Sequence, residues 1–235
     1  VLLRTLIVSL AASHAPSELH IYVLDLGGRN LALLERLPHV GAVISPDVDG
    51  FEERVAYLLR ELFYLVETRQ KALNTAGVED VYQYNSWAGS DNSPLPAILV
   101  AIDNFAEFVE AFGETRDNVD SMLDKLIDLA RQSRPYGVHL VVTAKTTGEV
   151  PGALFNLLTE RLTLRQNDPA EYRAILGAAP ELEEVEGRGA MRDDTYALAF
   201  QAALLVTPDE DATGVNADLR AIRRLAEAMA AVPWK

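Results

Sequence analysis

The chain has 235 residues, 49% of them hydrophobic, which is enough to bury one sizeable core. It contains no cysteine, and this excludes a disulfide framework, a thiolate zinc site and a cysteine nucleophile. The net charge of −14 is opposite to the basic footprint that nucleic-acid-binding domains usually carry. We therefore expect residues 1–235 to form a single acidic domain.

The first predicted element is an apolar helix that runs from the first residue to about Ser13 and ends before Pro16. It begins without an initiator Met, so we expect the chain to be a piece of a longer protein. A second long helix is predicted over 51–74, where apolar residues recur at spacings of three and four. This segment carries too many charged residues to cross a bilayer.

Four short segments rich in Val, Ile and Leu predict strands that are buried on both faces of a parallel sheet. They are HIYVLDL (20–26), VGAVIS (40–45), AILVAID (97–103) and VHLVVTA (138–144). A third helix is predicted over about 117–132, and a segment rich in Asn, Ser, Gly and Pro at 74–96 predicts an excursion on the surface. Strands that alternate with helices of this length predict an α/β fold with a mostly parallel central sheet.

The pattern changes after the fourth strand. The segment ERLTLR (160–165) alternates between polar and apolar residues and predicts another strand. Residues 188–206 contain the pair Asp193-Asp194 between two extended segments, which predicts a C-terminal β-hairpin. A last helix is predicted over about 215–231.

Asp103 ends the apolar segment AILVAID with a carboxylate. A buried strand holds such a group rigidly at its carboxyl tip, where it can fix the water shell of Mg²⁺ beside the β- and γ-phosphates of a nucleotide. An Asp that only caps the next helix explains the residue equally well. A nucleotide site also needs the loop G-x-x-x-x-G-K-[ST], and no lysine of this chain follows a glycine. The residues alone therefore indicate only half of a nucleotide site.

Segments along nearly the whole chain resemble one family. They are VLLRTLIVSLAASHAP (1–16), HIYVLDLGGRNLALLERLPHV (20–40), LVETRQKALNTAGVEDVYQYN (65–85), AILVAIDNF (97–105), RPYGVHLVVTA (134–144), ERLTLRQNDPAEYRAILG (160–177) and GRGAM (187–191). In this order they resemble the FtsK/SpoIIIE family of hexameric motors, and most of all the EccC/EssC ATPases of type VII secretion systems. The resemblance implies a RecA-like P-loop NTPase fold in which AILVAID is the Walker B strand.

The resemblance also implies the site residues. The phosphate-binding Walker A loop should end just before Val1, so we expect these 235 residues to bind ATP weakly or not at all. For the intact domain it implies ATP and Mg²⁺, with Asp103 holding Mg²⁺ through water and with Thr143 and Lys145 of the sensor region contacting the nucleotide. It further implies an arginine finger that reaches a neighbour's nucleotide, for which the candidates are Arg161, Arg165 and Arg188.

Two positions depart from the family pattern. Active members usually follow the Walker B Asp with Glu, the base that orients the attacking water, whereas this chain has Asn104. An amide cannot accept a proton, so we expect slow or no hydrolysis, with Glu107 as the alternative base one helical turn on. DNA-pumping members tend to carry Thr-Gln-Arg in the sensor region, where this chain has Ala144-Lys145-Thr146.

The partners implied by the resemblance are neighbouring ATPase modules in a hexamer and a transported polymer. We expect a cytoplasmic domain of an inner-membrane-associated protein, attached through segments outside this chain. The polymer would be a secreted protein with a C-terminal export signal or, as the alternative, double-stranded DNA; the acidic charge and Asn104 favour the protein. A non-catalytic regulatory or peptide-docking module is a further alternative, and the aromatic residues of the surface excursion fit either a partner patch or core anchors: Tyr82, Tyr84 and Trp87.

Overall fold

The computed structural model describes residues 1–28, 30–87, 93–114, 121–193, 196–205 and 215–231. The helices are α1 (Leu2–Ser13), α2 (Phe51–Ala76), α3 (Val81–Trp87), α4 (Phe105–Phe112), α5 (Met122–Gln132), α6 (Gly152–Phe155), α7 (Pro169–Leu176) and α8 (Val215–Ala230). The strands are β1 (Leu19–Asp25), β2 (Val40–Ile44), β3 (Ala97–Asp103), β4 (Val138–Val142), β5 (Leu162–Leu164), β6 (Arg188–Asp193) and β7 (Tyr196–Gln201).

The first four strands form a parallel sheet in the order β2-β1-β3-β4. This confirms the predicted α/β fold and all four predicted strands. Strand β3 is central, and its residues from Ile98 to Ile102 are buried because helices cover both faces of the sheet. One apolar cluster packs α2, α4 and α5 against one face, and a second packs α1 and α8 against the other.

The sheet register brings functional side chains together at one edge. The last residue of β1, Asp25, is paired with the last residue of β3, Asp103. Because all four strands are parallel, their carboxyl ends meet at this edge, which is where open α/β sheets bind ligands. We call it the carboxyl edge.

Two predicted elements differ from the structure. The helix predicted from 117 begins at Met122, because Ser121 and Asp124 form a reciprocal capping box that starts it there; residues 115–120 lie outside the described part. The excursion predicted at 74–96 contains helix α3, since Val81 packs against the end of α2 in a small apolar cluster. Tyr84 joins this cluster as an anchor, whereas Tyr82 and Trp87 are 57% and 75% exposed.

The C-terminal strands form a separate antiparallel sheet in the order β5-β6-β7. The predicted strand and hairpin are thereby confirmed, although the turn residues 194–195 lie outside the described part. Helix α7 covers one face of this sheet. Its Glu171 accepts a hydrogen bond from the backbone N–H of Thr147 at 2.9 Å, so the second sheet is attached beside the carboxyl end of β4.

None of the helices in the described ranges is long and apolar enough to cross a membrane.

Arg69 fastens helix α2 to the beginnings of two strands. Its guanidinium donates to the carbonyl oxygens of Pro96 at 2.7 Å and Tyr136 at 2.6 Å, just before β3 and β4. The residue is only 4% exposed, and burial lowers the pKa of its side chain to about 10, so it remains charged at neutral pH. A buried cation is kept here because it satisfies two carbonyl groups that would otherwise be unpaired.

We expect Arg69→Leu to lower the free energy of unfolding by about 2–4 kcal/mol, because both carbonyl groups lose their donor inside the protein. Urea denaturation followed by circular dichroism measures the change. The control is Lys71→Leu, which removes an exposed ion pair with Glu67 on the same helix and should cost less than about 1 kcal/mol. Equal losses in the two variants would contradict the role of Arg69 as a structural tie.

Candidate functional site at the carboxyl edge

Asp103 is held by a hydroxyl group from the neighbouring strand. The Oγ1 atom of Thr143, directly after β4, donates to Oδ1 of Asp103 at 2.6 Å. The Oγ1 atom of Thr143 also accepts the backbone N–H of Asn104 at 2.9 Å, and the carbonyl group of Thr143 accepts the N–H of Phe105 at 2.8 Å. Thr143 therefore fixes both the carboxylate of Asp103 and the backbone of the two residues that follow Asp103.

The turn after β1 closes on the other oxygen of Asp103. A Cβ atom at Gly27 would lie 2.4 Å from Oδ2 of Asp103, so no larger residue fits without moving the carboxylate. Gly28 has φ +100°, a backbone conformation that favours glycine. The amide of Asn30 donates to the carbonyl oxygen of Gly27 at 3.1 Å and closes the turn.

Asp25 lies beside Asp103 and is fully buried. Its Oδ2 accepts the N–H of Leu31 at 2.7 Å, while its Oδ1 has no hydrogen-bond partner among the described residues. Burial raises the pKa of the Asp25 carboxyl, and repulsion from Asp103 acts in the same direction, whereas the N–H of Leu31 opposes the rise. The sequence analysis missed Asp25, although it ends a strand with Asp just as Asp103 does.

The first turn of α1 reaches the same loop. The side chain of Arg4 is buried, donates to the carbonyl oxygen of Asn30 at 3.0 Å and pairs with Asp218 of α8. Asn30 in turn bonds to Gly27, which abuts Asp103. Arg4 of α1 and the Asp103 carboxylate therefore contact the same loop, at Asn30 and near Gly27 respectively.

Asn104 occupies the strained position between strand and helix. Its φ of 59° and ψ of 67° lie in the left-handed region, and it is the sole non-glycine residue with positive φ in the described ranges. Asn tolerates this conformation better than most residues. Its side-chain amide lies 3.5 Å from the carbonyl oxygen of Leu26, at the limit of a hydrogen bond. Glu107, the alternative base, is exposed in the first turn of α4.

Lys145, which the resemblance places in the sensor region, is exposed two positions after Thr143. Its backbone N–H donates to the carboxylate of Glu149 at 2.7 Å. Of the three groups predicted from the sequence, Asp103 and Thr143 are in direct contact, and Lys145 follows Thr143 by two residues.

The three candidate arginines lie in different surroundings. Arg161 donates to the carbonyl oxygens of Phe155 and Leu158 at 2.8 and 2.9 Å and stacks over the ring of Phe155 at 3.8 Å, so its guanidinium has a local structural task. Arg165 and Arg188 instead make ion pairs with glutamates at the surface and line one shared pocket.

A second concave feature lies on the face of the parallel sheet that α2 covers. It is a groove of about 840 Å³ along the flank of α2, and it reaches from Pro96 and Ile98 at the beginning of β3 to Ile44 at the carboxyl end of β2. Apolar side chains such as Leu62 and Ile98 line it, with the exposed rings of Tyr57 and Tyr64 on α2 beside them. Its volume is that of a typical ligand pocket.

The described residues contain no group of three or more His, Asp or Glu side chains arranged to hold a metal directly. Asp103 is half-exposed and oriented by Thr143, and this fits a carboxylate that contacts a metal through water.

We expect Gly27→Ala to displace the Asp103 carboxylate and break its bond to Thr143. The loss of a hydrogen bond to a charged group should lower the free energy of unfolding by about 1.5–3 kcal/mol. The amide resonance of Asn104, which shares the Thr143 hydroxyl, should shift in ¹H–¹⁵N spectra. Gly152→Ala is the matched control, because nothing lies within 4 Å of its Cβ position. An unchanged Asn104 resonance in Gly27→Ala would contradict this geometry.

Known proteins share this sequence and fold. The family model described as the FtsK/SpoIIIE family matches residues 1–192. The ESX secretion system protein EccC of Thermomonospora curvata is 31% identical over 84% of this chain, and the match covers 14% of that protein. The chain thus spans about a seventh of the length of this relative.

Solved structures of EssC and EccC ATPase domains resemble the fold of this chain. The structure of EssC (ATPases 2 and 3) from Geobacillus thermodenitrificans has a TM-score of 0.81 and 25% identity, covering 98% of this chain and 42% of that one. Thermomonospora curvata EccC (ATPases 2 and 3) in complex with a signal sequence peptide has a TM-score of 0.72 and 28% identity, covering 97% of this chain and 39% of that one. The chain therefore has the fold of EssC and EccC ATPase domains and belongs to the FtsK/SpoIIIE family.

Proposed function

We propose that residues 1–235 form one ATPase module of an EccC/EssC-type type VII secretion protein. The supporting observation is the geometry of the carboxyl edge. Thr143 holds the carboxylate of Asp103 there, and Arg4 of α1 contacts the neighbouring loop at Asn30. The relatives named EccC and EssC support the same assignment. The parent protein would be associated with the inner membrane through other segments and would carry this module in the cytoplasm.

The residues of this edge fit Mg²⁺ and ATP in defined roles. When bound, Mg²⁺ neutralises charge that develops on the β- and γ-phosphates. Asp103 would accept hydrogen bonds from the water shell of the ion, while Thr143 keeps its carboxylate in one rotamer. Lys145, exposed at the same edge, would face the nucleotide.

The unpaired side of strand β4 indicates where the phosphate-binding strand of the intact domain would join the parallel sheet. In the part of the chain that the structure describes, β4 pairs with β3 alone, and four of its five residues are only half-buried. A parallel strand paired with that side of β4 would lead into α1 through a short loop beside Asp103. The phosphate-binding loop of the intact domain would then lie between that strand and Leu2.

Asn104 makes this module a slow ATPase. Its amide cannot take a proton from water, and its side chain is directed toward the carbonyl oxygen of Leu26. Glu107 lies in the next helical turn, exposed to solvent, and is a weaker candidate for the base.

The transported polymer is proposed to be a protein, and the groove beside α2 is proposed to hold its export signal. A relative with the same fold has been solved with a signal sequence peptide. Exposed aromatic rings beside apolar walls suit the apolar side of a short peptide. Neighbouring modules of a hexamer are the other proposed partners. Double-stranded DNA is the alternative cargo. The net charge of −14 disfavours it, because DNA-binding domains usually neutralise phosphate groups with Lys and Arg.

We expect the 235 residues alone to bind ATP weakly, and a longer chain with the residues upstream of Val1 to bind Mg²⁺–ATP, as measured by isothermal titration calorimetry. In that longer chain, Asn104→Glu should raise the rate of ATP hydrolysis by about 10²-fold, because it supplies the missing base.

Asp103→Ala in the Asn104→Glu background is the control for this experiment and should abolish hydrolysis. Micromolar ATP affinity of the 235 residues, or an Asn104→Glu variant no faster than the unaltered longer chain, would contradict the assignment.

The groove is tested separately with a fluorescent peptide that carries the C-terminal export signal of a substrate secreted by the same system. We expect Tyr57→Ser/Tyr64→Ser to weaken binding about tenfold in fluorescence anisotropy, since aromatic side chains dominate such contacts. Tyr196→Ser is the control, because Tyr196 is 79% exposed and lies outside the groove. Equal effects of the two changes would show that the groove is not the peptide site.

A further inference from the structure

One peptide unit in the loop after β1 is held from both sides by buried charged groups. The N–H of Leu31 donates to Oδ2 of Asp25 at 2.7 Å. The carbonyl oxygen of Asn30 accepts a hydrogen bond from Nη2 of Arg4 at 3.0 Å. Because this carbonyl and this N–H belong to the same planar peptide bond, a carboxylate and a guanidinium together fix its orientation. We call this arrangement the Asn30–Leu31 clamp.

The two side chains of the clamp come from elements that the core holds in place. Asp25 is the last residue of β1 and is fully buried, whereas Arg4 lies in the first turn of α1 and is 7% exposed. Asp218 of α8 supplies Arg4 with an opposite charge. A rotation of the clamped peptide would take a partner from both buried charges at once, which is costly inside a protein. The clamp therefore holds this part of the loop in one conformation.

The clamped loop is the one that closes on the Asp103 carboxylate. The side-chain amide of Asn30 donates to the carbonyl oxygen of Gly27 at 3.1 Å, so the clamp and the turn are joined by a hydrogen bond. A Cβ atom at Gly27 would lie 2.4 Å from Oδ2 of Asp103. The position of the peptide clamp therefore sets how closely the turn approaches Asp103.

Asp25 also acts on Asp103 through its charge, and the two effects can be separated. Burial and, after it, repulsion from Asp103 raise the pKa of the Asp25 carboxyl. Asparagine has the same shape without the charge: its oxygen can accept the N–H of Leu31, and its NH₂ group takes the place of Oδ1, which has no hydrogen-bond partner among the described residues. Alanine removes both the charge and the acceptor. The difference between the two substitutions therefore reports the acceptor alone.

We propose that Asp25 and Arg4 are positioning residues for the Asp103 carboxylate. They act through the clamp, which keeps Gly27 closed on Asp103. Since Arg4 lies in the first turn of α1, the same clamp ties the start of that helix to the Asp103 site. The consequence for Mg²⁺ rests on the proposed function, whereas the effect on the position of Asp103 does not.

The test measures ¹H–¹⁵N spectra of the 235-residue chain. In Asp25→Ala, the amide of Leu31 should exchange with deuterium about tenfold faster, because it loses a hydrogen bond to a charged group. The amide resonance of Asn104 should shift, since its N–H is bonded to the Thr143 hydroxyl that holds Asp103. Asp25→Asn should restore most of both properties, because it keeps the acceptor.

The clamp is tested from its other side by Arg4→Met, which removes the donor to the carbonyl oxygen of Asn30. We expect this variant to shift the resonance of Asn104 as well. This measurement decides the proposal if Asp25→Ala does not fold, and an unchanged resonance would overturn it.

The matched control is Asp80→Ala. It also removes a carboxylate that accepts a backbone N–H, that of Gln83 at 2.8 Å, but it lies before α3, whose Val81 abuts Gly137 at the beginning of β4. It should leave the resonance of Asn104 unchanged.

Three results would overturn the proposal. Equal shifts of the Asn104 resonance in Asp25→Ala and Asp25→Asn would show an effect of charge alone. An unchanged Asn104 resonance in Asp25→Ala would show that the clamp does not position Asp103. A shift of the same size in Asp80→Ala would show a general loss of stability.

A second measurement addresses Mg²⁺ in a longer chain with the residues upstream of Val1. Asp25→Ala should bind Mg²⁺–ATP about tenfold more weakly than Asp25→Asn in isothermal titration calorimetry, the change that corresponds to one lost hydrogen bond to a charged group. Equal affinities would overturn the consequence for Mg²⁺. If the unaltered longer chain does not bind Mg²⁺–ATP, the module function is refuted, and the spectra still decide whether the clamp positions Asp103.

Discussion

The hydroxyl group of Thr143 is the contact on which the carboxyl edge depends. It donates to Asp103 and accepts the N–H of Asn104, so the ends of β3 and β4 and the start of α4 move as one unit. The chain must turn from strand to helix within a single residue while keeping this bond, and Asn104 adopts the left-handed conformation for that reason. Phe105, fully buried and stacked near Phe108, anchors the far side of the turn.

The parallel sheet could be predicted from the sequence because its strands have little freedom. A strand buried on both faces must be apolar throughout, so segments such as AILVAID are recognisable without any other information. Helix α2 was equally clear from its spacing. The beginning of α5 was missed because the apolar period continues toward the N-terminus past Ser121, and only the reciprocal bonds with Asp124 set the boundary.

The candidate site could be predicted only in part. Asp103 is visible because it ends an apolar strand, and Thr143 and Lys145 follow from the family resemblance. Three features depend on distances between segments that are far apart in sequence: the closure of Gly27 on Asp103, the burial of Asp25 and the glutamates that occupy Arg165 and Arg188. No local pattern encodes such contacts, because a glycine in a turn or a glutamate in a loop has many ordinary explanations.

The groove lies along α2 on one face of the sheet, whereas Asp103 and Thr143 lie at the carboxyl ends of β3 and β4. Arg69 contacts both the groove and the segments from which β3 and β4 begin. It lines the groove and also bonds to the carbonyl groups of Pro96 and Tyr136, from which β3 and β4 begin. Those two strands end at Asp103 and Thr143, the pair that fixes the carboxylate. Arg69 therefore ties the beginnings of the two strands whose ends hold the Asp103 carboxylate to the helix that forms one wall of the groove.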